Sequence, residues 1–268
     1  MVGICLSVSG TIMQGTTKNP MADTGIMGIS SGSTLGVVIV IAFFPGAGRY
    51  ERMCFSALGA ALVTLLIYGI AYFGKRRVSV DRMVLSGMAI STFFSSFTTA
   101  IVLKYGLMNQ MIKYTSGSSQ NVIWNDVLVA LPFFAIGFVI ALLISPSLTV
   151  MNLGDDVSKG LGANTKLTKI LSTIVVLVLS SVSVIIIGPV AYVGLMIPYI
   201  ARYMVGTDYR YIIPTCAIYG PLLVSVVDLL ARIINPGVEF PVGLLIVIIG
   251  VPFFIYVSRK TKGDAFRD

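Results

Sequence analysis

No histidine occurs anywhere in the 268 residues, and that absence limits the chemistry more than any residue present. It removes the usual general base near neutral pH and the commonest metal ligand. Neither a Ser/His/Asp nor a Cys/His site can be assembled. Cys5, Cys54 and Cys216 sit singly inside apolar segments, which supports neither a disulfide framework nor a metal knuckle. Gly28-Ile29-Ser30-Ser31-Gly32-Ser33 has glycines but no following Lys-Ser/Thr, so it is not a phosphate loop. The expectation is a protein without catalytic residues, metal or cofactor. Any active transport must then draw energy from another chain or from an ion gradient.

Two groups of residues fit other work. Asp228 and Arg232 are four apart in an apolar stretch and share one helix face. Ionisable groups at membrane depth are costly and mark function by default, while Arg232 is near enough to the stretch's end to snorkel. A structural ion pair and a transport role both fit. The second group is Asn152-Leu153-Gly154-Asp155-Asp156-Val157-Ser158-Lys159-Gly160-Leu161-Gly162, too short and too polar to cross a bilayer. Asn152 is expected to cap a short helix with Asp155 and Asp156 in its first turn, ended by Gly160 and Gly162. This elbow is either a solvated loop or a docking surface.

The elements that must carry these residues are set by hydropathy. Hydrophobic residues make up 56% of the chain, charged ones only 11%, and the mean hydropathy is +0.93. Soluble domains carry about a quarter charged residues, so this surface belongs in lipid. The apolar runs approach the ~20 residues that cross hydrocarbon as helix, and they lack the period-two alternation of a β-barrel. An all-α, polytopic helical membrane protein of one domain, 1–268, is expected. Its apolar segments are 2–15, 26–44, 53–73, 83–103, 127–144, 170–187, 190–203, 211–234 and 242–257. That makes about nine crossings, the first of them short and without a basic region before it. A chain beginning part-way into its architecture, without a first span, is expected from that start. Lys18-Asn19-Pro20 breaks the first helix, Ser145-Pro146 is expected to stop the fifth, and 104–126, with Tyr114 and Trp124, reads as an interfacial connector.

Alternating crossings place fourteen Lys and Arg on one side and five on the other. That is a positive-inside bias: it makes the elbow and the C-terminus cytoplasmic and explains the basic balance without nucleic acid. Glycine and proline interrupt several segments, as at Gly188-Pro189, Gly194, Pro198, Gly220-Pro221 and Gly250-Val251-Pro252. Such breaks need cover from protein or a water-filled cavity. Gly28, Gly32 and Gly36 form a small-residue ladder suited to close helix packing, or to a dimer motif.

Several strings together resemble the FecCD permeases, the membrane subunits of ABC importers for ferric siderophores, haem and vitamin B12. They are Asn19-Pro20-Met21-Ala22-Asp23 with Gly28-Ile29-Ser30-Ser31-Gly32, 151–162, Gly188-Pro189 through Gly194 to Pro198, Asp228-Leu229-Leu230-Ala231-Arg232, and Glu239-Phe240-Pro241-Val242-Gly243. The resemblance runs from Val2 to Arg259 in family order. It implies the transmembrane subunit of a type II ABC importer, with ten spans in the family. That subunit dimerises, with itself or a related chain, around a path for an iron chelate.

Cytoplasmic ATPase subunits would dock on the 152–166 elbow through Asn152, Gly154, Asp155, Asp156, Lys159, Gly160, Leu161 and Gly162. An extracytoplasmic substrate-binding lipoprotein would dock on the outer face, where Arg232 matches a family arginine that receives a carboxylate. The family's histidines after Ile197-Pro198 and Thr207-Asp208 are Tyr199 and Tyr209 here, and its connector tryptophan is Tyr114. Haem or cobalamin is the neighbouring substrate reading. An ion-coupled secondary transporter or a purely structural scaffold is the alternative in kind.

Overall fold

Helices that are apolar on every side must be buried in protein or in lipid. The computed structural model describes the backbone of residues 1–24, 28–73, 80–115, 122–154, 158, 160, 162–234 and 241–264. Side chains within these are described except at 49, 68–73, 80–84, 113–115 and 256–264. The main helices are α1 (Val2–Thr17), α2 (Ile29–Phe43), α3 (Arg49–Phe73), α4 (Val80–Lys104), α5 (Met108–Thr115), α6 (Trp124–Asn152), α7 (Thr165–Ile187), α8 (Val193–Val205), α9 (Tyr209–Ile234) and α10 (Val242–Asp264). No strand occurs among the described residues. By length and composition α3, α4, α6, α7 and α9 can cross a membrane, while α2, α8 and the apolar part of α10 are shorter.

α1 is the axis of the larger half of the bundle. Twelve of its 16 residues are buried, because α6, α7, α8 and α9 all pack on it. The long helices α6 and α9 instead turn large apolar side chains outward, Leu128, Leu143, Ile218 and Leu229 among them. In a chain this apolar, those faces meet lipid or a partner helix. α2 and α3 form a second tight pair, joined to the first group through α7.

Glycine decides how close these helices come. An added Cβ on Gly3 would stand 2.5 Å from the Gly220 carbonyl oxygen, and one on Gly10 would stand 2.3 Å from that of Gly194. Gly32 and Gly59 meet in the same way, and a Cβ added on Gly36 would stand 2.0 Å from the Phe55 carbonyl oxygen. Gly32 and Gly36 of the expected ladder therefore seat α2 on α3. Gly28 differs: it starts α2 at φ +83° and lies against Ser91 and Gly87 of α4.

The breaks have local causes. Lys18 closes α1 in the left-handed region at φ 53°, and the Asn19 side chain accepts the Met21 N–H at 2.9 Å to fold the turn around Pro20. Ala22, Asp23 and Thr24 are then buried before α2 starts. Residues 188–192 separate α7 from α8, with Gly188 at φ 90° and Tyr192 at φ 71°. Gly250 on α10 leaves room for the Tyr192 side chain, whose Cβ is 2.7 Å from where a Gly250 Cβ would stand.

One expected boundary is overturned. Ser145-Pro146 does not stop the helix; α6 continues to Asn152. Pro146 has no N–H for the Leu142 carbonyl, but the Ser145 hydroxyl donates to that oxygen at 2.7 Å. The freed acceptor is satisfied locally, and the helix passes through its proline.

Candidate functional site

The elbow grows from the last turn of α6. Asn152 is the final residue of that helix, and the segment whose N–H groups its side-chain oxygen was expected to cap lies partly outside the described residues. Its side-chain amide is already committed, donating to the Leu148 carbonyl at 2.9 Å and the Gly15 carbonyl at 3.2 Å. Asn164 caps the helix beyond the elbow: its Oδ1 accepts the Leu167 N–H at 3.0 Å and opens α7. Gly160 is itself helical rather than a stop. Gly154 and Gly162 lie at φ +118° and +72°, conformations that favour glycine.

Asp155, Asp156, Lys159 and Leu161 lie outside the described residues, as does Glu239, while Pro241 lies just before α10. Under the elbow, Ser158 is fully buried. Its hydroxyl bonds the Val150 carbonyl at 2.8 Å, folding the elbow back onto α6.

The last two turns of α6 are also tied sideways. Thr149 donates its hydroxyl to Asp208 Oδ1 at 2.8 Å and accepts the Tyr209 N–H at 2.9 Å. Asp208 pairs with Arg210, Oδ2 to Nη2 at 2.9 Å. The Arg210 side chain, foremost, and the Arg210 N–H and Thr149 hydroxyl hold the Asp208 carboxyl down from 3.8 to about 2.

A depressed carboxyl stabilises the folded state above its ordinary value and loses that contribution as pH falls through the folded value. Asp208→Ala is accordingly expected to melt roughly 2–4 °C below the parent at neutral pH. The gap should close between about pH 4 and pH 2, as the parent's carboxyl protonates. Thermal melts of the detergent-solubilised protein across that range check this. A gap independent of pH would assign the effect to packing.

At the same end, α1 is gripped by its neighbours. Gln14 is buried, donates Nε2 to the Gly194 carbonyl at 3.0 Å, and accepts a hydrogen bond from Arg202 on its oxygen. The Tyr209 ring, near Arg202, packs on Gly15. Gly194 itself lies within van der Waals reach of Leu6, Gly10 and the buried Asp23. Pro198 is inside α8. Tyr199, where the resemblance has histidine, sets its ring edge against Phe253 of α10 at 5.7 Å.

Asp228 and Arg232 lie elsewhere. α1 and α9 run antiparallel, Gly3 beside Gly220 and Gly15 beside Tyr209, so the two residues occupy the end opposite the elbow. Their ion pair is 2.9 Å long, and Arg232 is 54% exposed. Both line an open cavity of about 500 Å³ with Gly3, Pro221, Ser225 and Val242. The fold thus joins Asn152, Gly194 and Pro198 into one network and leaves Asp228 and Arg232 in another. Gln14, Asp23, Thr149, Ser158 and Arg202 escaped sequence reasoning as site residues. The one amide in a helix whose other polar side chains are all Ser or Thr was the available signal for Gln14.

Closely crossed helices, five of them long and apolar enough to cross a bilayer among the described residues, define an all-α membrane protein. The chain belongs to the FecCD transport family, whose profile matches residues 1–260. It is 40% identical to the iron(3+)-hydroxamate import system permease protein FhuB of Bacillus subtilis (strain 168) over 98% of this chain and 68% of that one. The Fe(3+)-citrate import system permease protein YfmD of the same organism is 39% identical over 97% and 78%. The fold matches an inward-facing conformation of a metal-chelate type ABC transporter with TM-score 0.85 and 26% identity, over 97% of this chain and 82% of that one.

Proposed function

We propose that this chain is the permease subunit of an ATP-driven importer of iron–siderophore complexes. The observation that carries this is 40% identity to a ferric hydroxamate import permease over 98% of the chain. Two permease subunits, alike or related, enclose the path. Cytoplasmic ATPase subunits dock on the 152–166 elbow, and ATP hydrolysis belongs to those partners. The 104–126 connector is extracytoplasmic, Arg232 faces an extracytoplasmic binding lipoprotein, and the C-terminus is cytoplasmic. The exposure of Arg232 at the end opposite the elbow supports its role in receiving a carboxylate. The positive-inside distribution supports the orientation in the bacterial cell membrane.

Reconstitution into vesicles with the cognate ATPase and binding protein tests the reading, with a ferric tris-hydroxamate carrying radioactive iron as probe. Uptake is expected only with ATP and all partners present. Uptake by this chain alone, abolished by collapsing an ion gradient, would replace the reading with secondary transport. No uptake in any combination would leave a scaffold.

A further inference from the structure

Pro198 creates a specific vacancy in α8. The carbonyl of Gly194 would receive the N–H of residue 198 in an unbroken helix, and proline has none. That carbonyl lies in the buried crossing of α1 and α8, where an unmet acceptor is costly. The Gln14 amide, 180 positions earlier, supplies the missing donor at 3.0 Å.

The same side chain is held from its other atom by Arg202, on the last turn of α8. One residue along, the Gly15 carbonyl takes the Asn152 amide at the root of the elbow. Two adjacent residues of α1 thus join the elbow's root to the first turn of the helix that follows the 188–192 break. A Leu or Met would fill the space at Gln14 equally well in lipid-like surroundings, but would transmit nothing to the Gly194 carbonyl.

We infer that Gln14 is a positioning residue for transport, tying the elbow through the last turns of α1 to the start of α8 so that the two move together. This rests on the importer reading above. A rigid tie suits force transfer because a packed element with two discrete positions moves as a unit, and residues along such a path shift coupling without touching ligand.

The test is the number of ATP molecules hydrolysed per ferric hydroxamate imported by the full reconstituted complex. Gln14→Met, which keeps the volume, is expected to raise that ratio on the order of tenfold, the scale at which residues on a coupling path act. Hydrolysis should stay near the parent's, while the melting temperature falls by a few degrees because the Gly194 carbonyl loses its donor. Gln14→Glu keeps an oxygen for Arg202 but, ionised, offers the Gly194 carbonyl no donor, so it should raise the ratio similarly.

An unchanged ratio in both variants overturns the inference. So does a fall of hydrolysis in parallel with import, whatever the melting temperature, which is the signature of a purely structural role. A raised ratio in Gln14→Met with a parental ratio in Gln14→Glu overturns the link to Gly194. Failure of the parent complex to import with ATP would instead defeat the importer reading, and the inference with it.

Discussion

Gly10→Ala is expected to lower the melting temperature of the detergent-solubilised protein by about 10 °C or more, and much of the product should fail to fold. The added Cβ would stand 2.3 Å from the Gly194 oxygen, 2.4 Å from its Cα and 2.7 Å from its carbonyl carbon. All three atoms are backbone, so no side chain can swing aside. α1 and α8 must separate, and separation also lengthens the 3.0 Å bond from Gln14. Overpacking costs about 1–3 kcal/mol where the surroundings can yield; here they yield least.

Two substitutions calibrate the effect. Gly137→Ala meets the branched end of Leu179 at 3.0 Å, which can turn, so its cost should be small. Gly46→Ala meets nothing within 4 Å and should be neutral. Equal melting temperatures for all three would show that backbone contact does not hold α1 in place.

The second large effect is expected at the elbow. Asp155→Lys combined with Asp156→Lys reverses two charges on the surface proposed to receive the ATPase. Like charges placed against each other across an interface cost several kcal/mol, and each 1.4 kcal/mol is about a factor of ten in an equilibrium. ATP-driven import should fall at least about tenfold, and hydrolysis should no longer respond to substrate-loaded binding protein. Membrane insertion should be unaffected, because the substitutions leave in place the bonds of Ser158 to Val150 and Asn152 to Gly15 and the Asn164 cap of α7. Normal uptake by the double variant would remove the docking role from these residues.

The importance of α1 reorders what the chain's first segment means. From sequence it reads as a short apolar run of uncertain standing. In the fold it touches four helices, and three of its polar residues bond to two of them, α8 and α9. Ser7 donates to the Cys216 carbonyl at 2.8 Å, Thr11 to the Cys216 sulfur at 3.1 Å, and Gln14 to Gly194. Polar groups buried in such a bundle are satisfied or they destabilise it. Substitution of any of the three therefore acts on two helices at once.

Local chemistry was enough to determine the helical class, most of the helix positions and the glycine ladder of α2. Apolar runs of the right length have few other solutions in a bilayer, and glycine at every fourth position presents one smooth face. The turn at Asn19-Pro20 and the break after Gly188 were legible for the same reason, since φ restrictions act within a few residues. The tertiary structure decided what no local rule contains. It carried α6 through Pro146 by way of Ser145, made Asn152 a cross-link to α1, and buried Asp23 against Gly194. It also matched the carbonyl freed by Pro198 with an amide on α1. A vacancy made by one residue and filled by another 184 positions away depends on how helices cross, and crossing is set by the whole bundle.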